Sequence, residues 1–145
     1  MGVRGREKLR RAWTCEEVAE RLRPLFEDES IRLVILFGSL AGGEGEGAGD
    51  IDIAVGADDG LDVIGLTNRI TRLLREDAVD VVDLRGAPPL LKARIAEQGL
   101  PLYEREPGEF ARFRSLAWRR YVDTEKLRRL QQNELSRSIG EDPES

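Results

Sequence analysis

The chain reads as an α/β protein of the α+β kind: a mixed β-sheet flanked by helices, with a long C-terminal helix after it. Three observations predict this. Helical and strand-like apolar patterns alternate from residue 13 to residue 104. A loop with six glycines, Gly38 to Gly49, parts the first two strand-like runs. Pro107 to about Asn133 reads as one long final helix. At 145 residues the chain suits one domain with a core that stands without staples.

The elements follow in order. Residues 1–12 form a basic arm with no apolar run behind it, so it does not read as a signal peptide. Thr14 and Glu17 have capping-box spacing, and Val18, Leu22, Leu25 and Phe26 share a helical face. Pro24 inside that face predicts a kink or break. Ile31 to Phe37 is a mostly buried strand, and Ile51 to Val55 a second, shorter one. Val63, Leu66, Ile70, Leu73 and Leu74 place a helix over Leu61 to Arg75. Val79 to Leu84 is the third strand. Pro88 and Pro89 open a helix carrying Leu90, Leu91 and Ile95, which ends near Gly99. Leu102-Tyr103 is a short edge strand. The final helix has Phe110, Phe113, Leu116, Ala117, Tyr121, Leu127 and Leu130 as its apolar side. The expected division is thus an arm over 1–12, a domain over 13–135 (core 13–104, helix 107–133) and a disordered acidic tail over 136–145.

Composition narrows the chemistry. There is no histidine and a single cysteine, Cys15. Imidazole bases, Ser–His and Cys–His pairs, and His- or Cys-based zinc sites are excluded, as is a disulfide within the chain. Catalysis must rest on carboxylates, hydroxyls, Lys or Arg, or on a metal held by oxygens. No apolar run reaches the roughly 18 residues of a membrane span, and a cytoplasmic setting is expected. The net charge is −5, but residues 1–104 balance to −6 and residues 105–140 to +4. The basic stretch is either a solvated helix face or a docking face for an acidic partner. A pI near 5.0 disfavours direct nucleic-acid binding.

The informative stretch is Gly38 to Asp52. The first strand stops at Phe37, Gly38-Ser39 follows at once, and Asp50-Ile51-Asp52 heads the second strand. Alternation puts Asp50 and Asp52 on one face, where two carboxylates tolerate each other if a hard divalent cation sits between them. Glycine lets the backbone approach a phosphate closely, and a helical turn starting at Ser39 would aim N–H groups at it. The Gly-Lys-Ser/Thr ending of a Walker A loop is missing. A third acid comes from Asp80 or Asp83, which face opposite sides of the third strand. The intervening helix makes the second and third strands parallel, so the partner lies near the start of the third strand: Asp80. The first strand delivers Gly38-Ser39 to the same edge from its far end and therefore runs antiparallel to the second.

Phe37-Gly38-Ser39-Leu40-Ala41-Gly42-Gly43 followed by Gly49-Asp50-Ile51-Asp52-Ile53-Ala54-Val55 resembles the signature of the DNA polymerase β-type nucleotidyltransferase superfamily. Val79 to Leu84, Ala87 to Leu91 and Gly99 to Glu104 make the chain similar to its minimal nucleotidyltransferases (MNT), in the MntA antitoxin branch. The resemblance covers residues 13 to 125. It implies the polymerase β-type fold, and a chain that pairs with a HEPN-domain ribonuclease toxin and adenylylates a tyrosine of it from ATP and magnesium. Carried over, Gly38 and Ser39 bind the triphosphate, Asp50 and Asp52 hold metal, and Asp80 is the third acid of a two-metal in-line displacement. Two departures stand out. Gly42 replaces an Arg of the family pattern and Gly49 a Ser or Thr, removing a phosphate or partner contact and a cap that steadies Asp50. They keep two other readings open: an inactive fold that neutralises the toxin by binding alone, and a nucleotidyltransferase acting on a small molecule.

Other residues read as structural. Cys15 is inert, Glu44 and Glu46 are solvated, Trp13 and Trp118 are packing anchors, Tyr103 and Tyr121 pack at a core or edge, and Asp83 caps a turn.

Overall fold

The computed structural model describes residues 13–38, 41 and 50–138, with side chains through Asn133. The basic arm, Ser39, Glu44, Glu46, the departures at Gly42 and Gly49, and residues 139–145 lie outside the described residues.

The chain opens with α1, Cys15–Arg21. Thr14 accepts from the Glu17 backbone N–H and Glu17 caps Thr14 in return, so both partners of the capping box are in place. At Pro24 the helix breaks as expected, and α2, Arg23–Phe26, restarts with the proline in its first turn. Next come β1, Ile31–Phe37, and β2, Ile51–Ala57, two residues longer than its apolar run. Helix α3, Val63–Leu74, is capped by Asp62, whose carboxylate accepts from the Gly65 N–H at 3.1 Å. Strand β3 is Val79–Asp83. Asp83 caps the following 3₁₀ turn by accepting from the Arg85 N–H at 2.9 Å. Helix α4 is Pro89–Gln98, β4 is Leu100–Glu104, and α5 runs from Glu109 to Ser138. The expected end of α5 near Asn133 is therefore corrected: residues 136–138 continue the helix.

The four strands form one sheet in the order β3-β2-β1-β4. β2 and β3 are parallel, joined by α3 as the crossover, while β1 is antiparallel to both β2 and β4. The sheet is mixed, as the placement of Gly38 beside the acids required. β1 is central and buried on both faces, which explains its near-continuous apolar sequence. One face carries Val34, Leu36, Ile51, Ile53 and Val55, covered by Val18, Leu22, Leu25, Ile70 and Leu74. The other carries Leu33, Ile35, Phe37 and Ala54, covered by Leu84, Ile95 and Phe110. Each fully buried side chain contributes about 1.5–3 kcal/mol. Trp13 anchors the first layer, and Tyr103 stacks on Phe26 with ring centroids 4.7 Å apart. Among the described residues, no helix is long and apolar enough to cross a membrane.

A polar clamp holds the start of α5 to the sheet. Arg105 forks onto Asp58 with donor distances of 2.8 and 3.0 Å and also donates to the Glu29 carbonyl at 2.7 Å. Arg32 of β1 donates to the buried Glu109 carboxylate at 3.0 Å. From there α5 follows α4, and its Tyr121 lines the same groove as Gln98 at the end of α4. Leu100, just past that end, pairs with Leu36 near the end of β1.

The apolar side expected for α5 is only half realised. Phe110 and Ala117 are buried, but Leu116, Leu127 and Leu130 are 46%, 56% and 58% exposed. Trp118 is no packing anchor, since it is 61% exposed. For Leu127 and Leu130 the reason is supply: within this chain α5 packs chiefly on α4, which ends at Gln98, and the turns beyond Tyr121 outrun it, whereas Trp118 lies beside α4 in an open groove.

Candidate active site

The site is built where β1 ends and β2 and β3 begin. Phe37, Asp52 and Asp80 are Cα partners in one row across three adjacent strands. Ala54 and Val82, two residues further along, belong to the layer under α4 and α5. By alternation Asp52 and Asp80 therefore project from that same face. Asp83 lies an odd number of residues from Asp80, on the opposite side, and is engaged as a cap. Asp50 precedes β2 and is exposed, as is Asp80, while Asp52 is half-buried. The structure thus brings Asp52 and Asp80 together and puts Asp50 beside them.

Gly38 closes the row. Its φ is +80°, a conformation that side-chain-bearing residues rarely adopt, and a Cβ built on it would run into the Asp52 carboxylate. The strand end is packed directly against the acid. Ser39, the other predicted phosphate contact, lies outside the described residues. The collision explains the glycine by a reason sequence reasoning did not supply: close approach to Asp52 as well as to a phosphate.

The electrostatics mark Asp52 as the strained member. Burial pushes its carboxyl up to about 6, and the neighbouring charges of Asp80 and Asp50 push in the same direction. Carboxylates held so near each other bind a proton or a hard cation in preference to standing bare. Among the described residues, no three acidic side chains close into a ready-made metal ligand set. The donors, all oxygens with paired negative charge, fit Mg²⁺.

A pH dependence follows. The folded pKa of Asp52, about 6, lies above the unfolded carboxyl value near 3.9. The folded state therefore holds more protons in that window, and stability falls as pH rises from about 4 through about 6. Without divalent cation, the melting temperature of the wild type relative to Asp52→Asn should decline from pH 5 to pH 7. Parallel curves for the two proteins would show that Asp52 is not perturbed.

Cys15 needs little comment. Burial raises its thiol pKa, which agrees with an inert residue.

Comparison with known proteins adds four findings. The sequence profile of the family described as "Polymerase beta, Nucleotidyltransferase" matches residues 20–108, more than half of the chain. The protein adenylyltransferase MntA of Shewanella oneidensis is 41% identical over 76 residues, a match spanning 50% of this chain and 54% of that protein. The match thus spans about half the length of this curated relative. A chain of a toxin–antitoxin complex solved with AMP-PNP superposes with a TM-score of 0.69 at 29% identity, covering 81% of this chain and 97% of that one. A chain from the complex of tri-AMPylated Shewanella oneidensis HEPN toxin with MNT antitoxin superposes at a TM-score of 0.66 and 27% identity, covering 84% and 98%.

Proposed function

Because this chain belongs to the polymerase β nucleotidyltransferase family, we propose that it transfers AMP from ATP to a tyrosine hydroxyl of a HEPN-domain toxin and thereby acts as its antitoxin. The observation that carries this reading is the row Phe37–Asp52–Asp80 with Gly38 packed against Asp52. It joins a close-approach glycine to paired carboxylates at one sheet edge. The named relatives, an adenylyltransferase and chains of toxin–antitoxin complexes, supply the donor and acceptor class.

Asp50, Asp52 and Asp80 would hold Mg²⁺. When bound, the ion offsets triphosphate charge and lowers the pKa of the acceptor hydroxyl. The chain's own residues do the rest. Gly38 lets the end of β1 lie against the triphosphate without a side chain in the way, and the Ser39 hydroxyl, outside the described residues, would be the expected donor to it. Asp52, half-buried between two other acids, fixes where positive charge must sit. Asp80, exposed at the row's outer strand, would take the acceptor proton. The acceptor O–H bond breaks as its oxygen bonds to the α-phosphorus, and pyrophosphate leaves with the electrons of the α–β bridge. No imidazole is needed, consistent with a chain that has none.

The test is a labelling experiment on a HEPN-domain toxin offered to this chain as acceptor. With ATP and magnesium, α-labelled ATP should leave its label on that protein and γ-labelled ATP should not. Transfer of the γ-label would replace this reading with a kinase-like one. A tight complex with no label from either position would leave only neutralisation by binding.

A further inference from the structure

The sheet face that carries the acids also carries a groove that the proposed reaction does not use. It lies between α4 and α5, has a volume of about 720 Å³, and is lined by Leu90, Arg94, Glu97, Arg114, Trp118 and Tyr121 among others. Trp118 and Leu90 are 61% and 55% exposed there. Solitary exposed apolar residues need no explanation, but a large aromatic on a concave surface marks a contact site. A second hollow of about 580 Å³ shares Tyr121 and continues along α5 past Val122, Lys126 and Arg129. The two together make one track running from α4 onto the free part of α5.

Its charge is out of keeping with the rest of the chain. The two hollows are lined by Arg94, Arg114, Lys126 and Arg129, against Glu97 and Glu125 only. The protein as a whole is at −5. A basic track with an aromatic centre on an acidic protein selects an acidic partner carrying an apolar anchor.

Position relates the track to the acids. Helices α4 and α5 cover the face from which Asp52 and Asp80 project. Gln98, at the end of α4, lines the groove with Tyr121, and Leu100 beyond it pairs with Leu36, one residue before the Phe37–Asp52–Asp80 row. The track therefore passes the catalytic edge, and α5 carries it further by up to about 25 Å of helix at 1.5 Å per residue from 122 to 138.

From this we propose that the α4–α5 groove and the free turns of α5 are the docking surface for the acceptor protein, which presents an acidic segment whose apolar side chain seats against Trp118. This rests on the reading that the acceptor is a protein. The groove supplies affinity and register at a distance from the reacting hydroxyl, so it acts on acceptor binding and leaves ATP binding alone.

The experiment uses the full chain with a HEPN-domain toxin that accepts label from α-labelled ATP or binds the wild-type chain. Trp118→Ala and, separately, the pair Arg94→Glu/Arg129→Glu should each weaken the complex at least 10-fold by calorimetry. Both should raise the KM for the acceptor and leave the Kd for ATP and the melting curve unchanged. The charge reversals should also flatten the salt dependence of binding. Wild-type affinity in both variants would overturn the proposal. Loss with Trp118→Ala alone, with no effect of charge reversal, would overturn the acidic character of the partner segment. Groove-dependent binding without transfer of α-label would sink AMP transfer and leave the docking surface standing.

Discussion

Asp52→Asn should lower nucleotidyl transfer by at least about 10³-fold, close to 4 kcal/mol of transition-state stabilisation, while raising the melting temperature of the metal-free chain at pH 7. The two effects have one cause. Asp52 is the half-buried carboxylate whose pKa is pushed up to about 6 by burial and by Asp80 and Asp50. An amide of the same shape removes the like-charge repulsion and the cost of ionising a half-buried group, so the fold gains. It also removes the negative charge that a divalent cation needs, so the chemistry loses. The checks are the rate of label transfer from α-labelled ATP and a melting curve in chelator. A mutant that transfers normally would remove Asp52 from the site. A mutant that is inactive but melts lower would point to a structural role instead.

Gly38→Ala should lower transfer by about 10²-fold and, unlike Asp52→Asn, lower the melting temperature. The backbone at Gly38 has φ +80°, which costs an alanine about 1 kcal/mol in the folded state. The new methyl also meets the Asp52 carboxylate, its Cγ and its Cβ, so Asp52 or the end of β1 must move. Misplacement of that size at a reacting centre costs about two orders of magnitude. Combining Gly38→Ala with Asp52→Asn separates the two contributions. The activity losses should not add, because both act through one carboxylate position, whereas backbone strain persists in the double mutant. Full activity in Gly38→Ala would show that the end of β1 does not set the position of Asp52.

Much of this site was legible before any coordinates. Asp50 and Asp52 announce themselves by spacing, and the choice of Asp80 over Asp83 needed only strand parity and the parallel pairing that a helical crossover implies. The antiparallel placement of β1 followed because Gly38 had to reach the same edge. Local signals with a mechanism did well: the Thr14–Glu17 box, the break at Pro24 and the Asp83 cap. The signals that misled were those whose meaning depends on a neighbour. Trp118, Leu127 and Leu130 lie on a regular helix and look like core, but burial requires a second surface: α4 provides none for Leu127 and Leu130 beyond Gln98, and beside Trp118 it leaves an open groove. Periodicity reports which residues share a face and is silent on what that face meets. Likewise the pressure on Gly38 from Asp52 arises between residues of different strands, and the sequence shows only that glycine is permissive.

The clamp at the start of α5 has a mechanical consequence. Glu29, Arg32, Asp58, Arg105 and Glu109 are far apart in sequence and meet at one point. They pin the helix at its root, and Phe110 and Ala117 pin the next turns. From Val122 to Asn133, backbone hydrogen bonds are backed by side chains that remain mostly exposed. The helix is therefore a cantilever: fixed at one end, with amide protection that shares the global unfolding free energy near Phe110 and decays toward Ser138. A partner that grips the free arm converts local fraying into ordered structure, so the arm's own stability becomes part of the binding equilibrium.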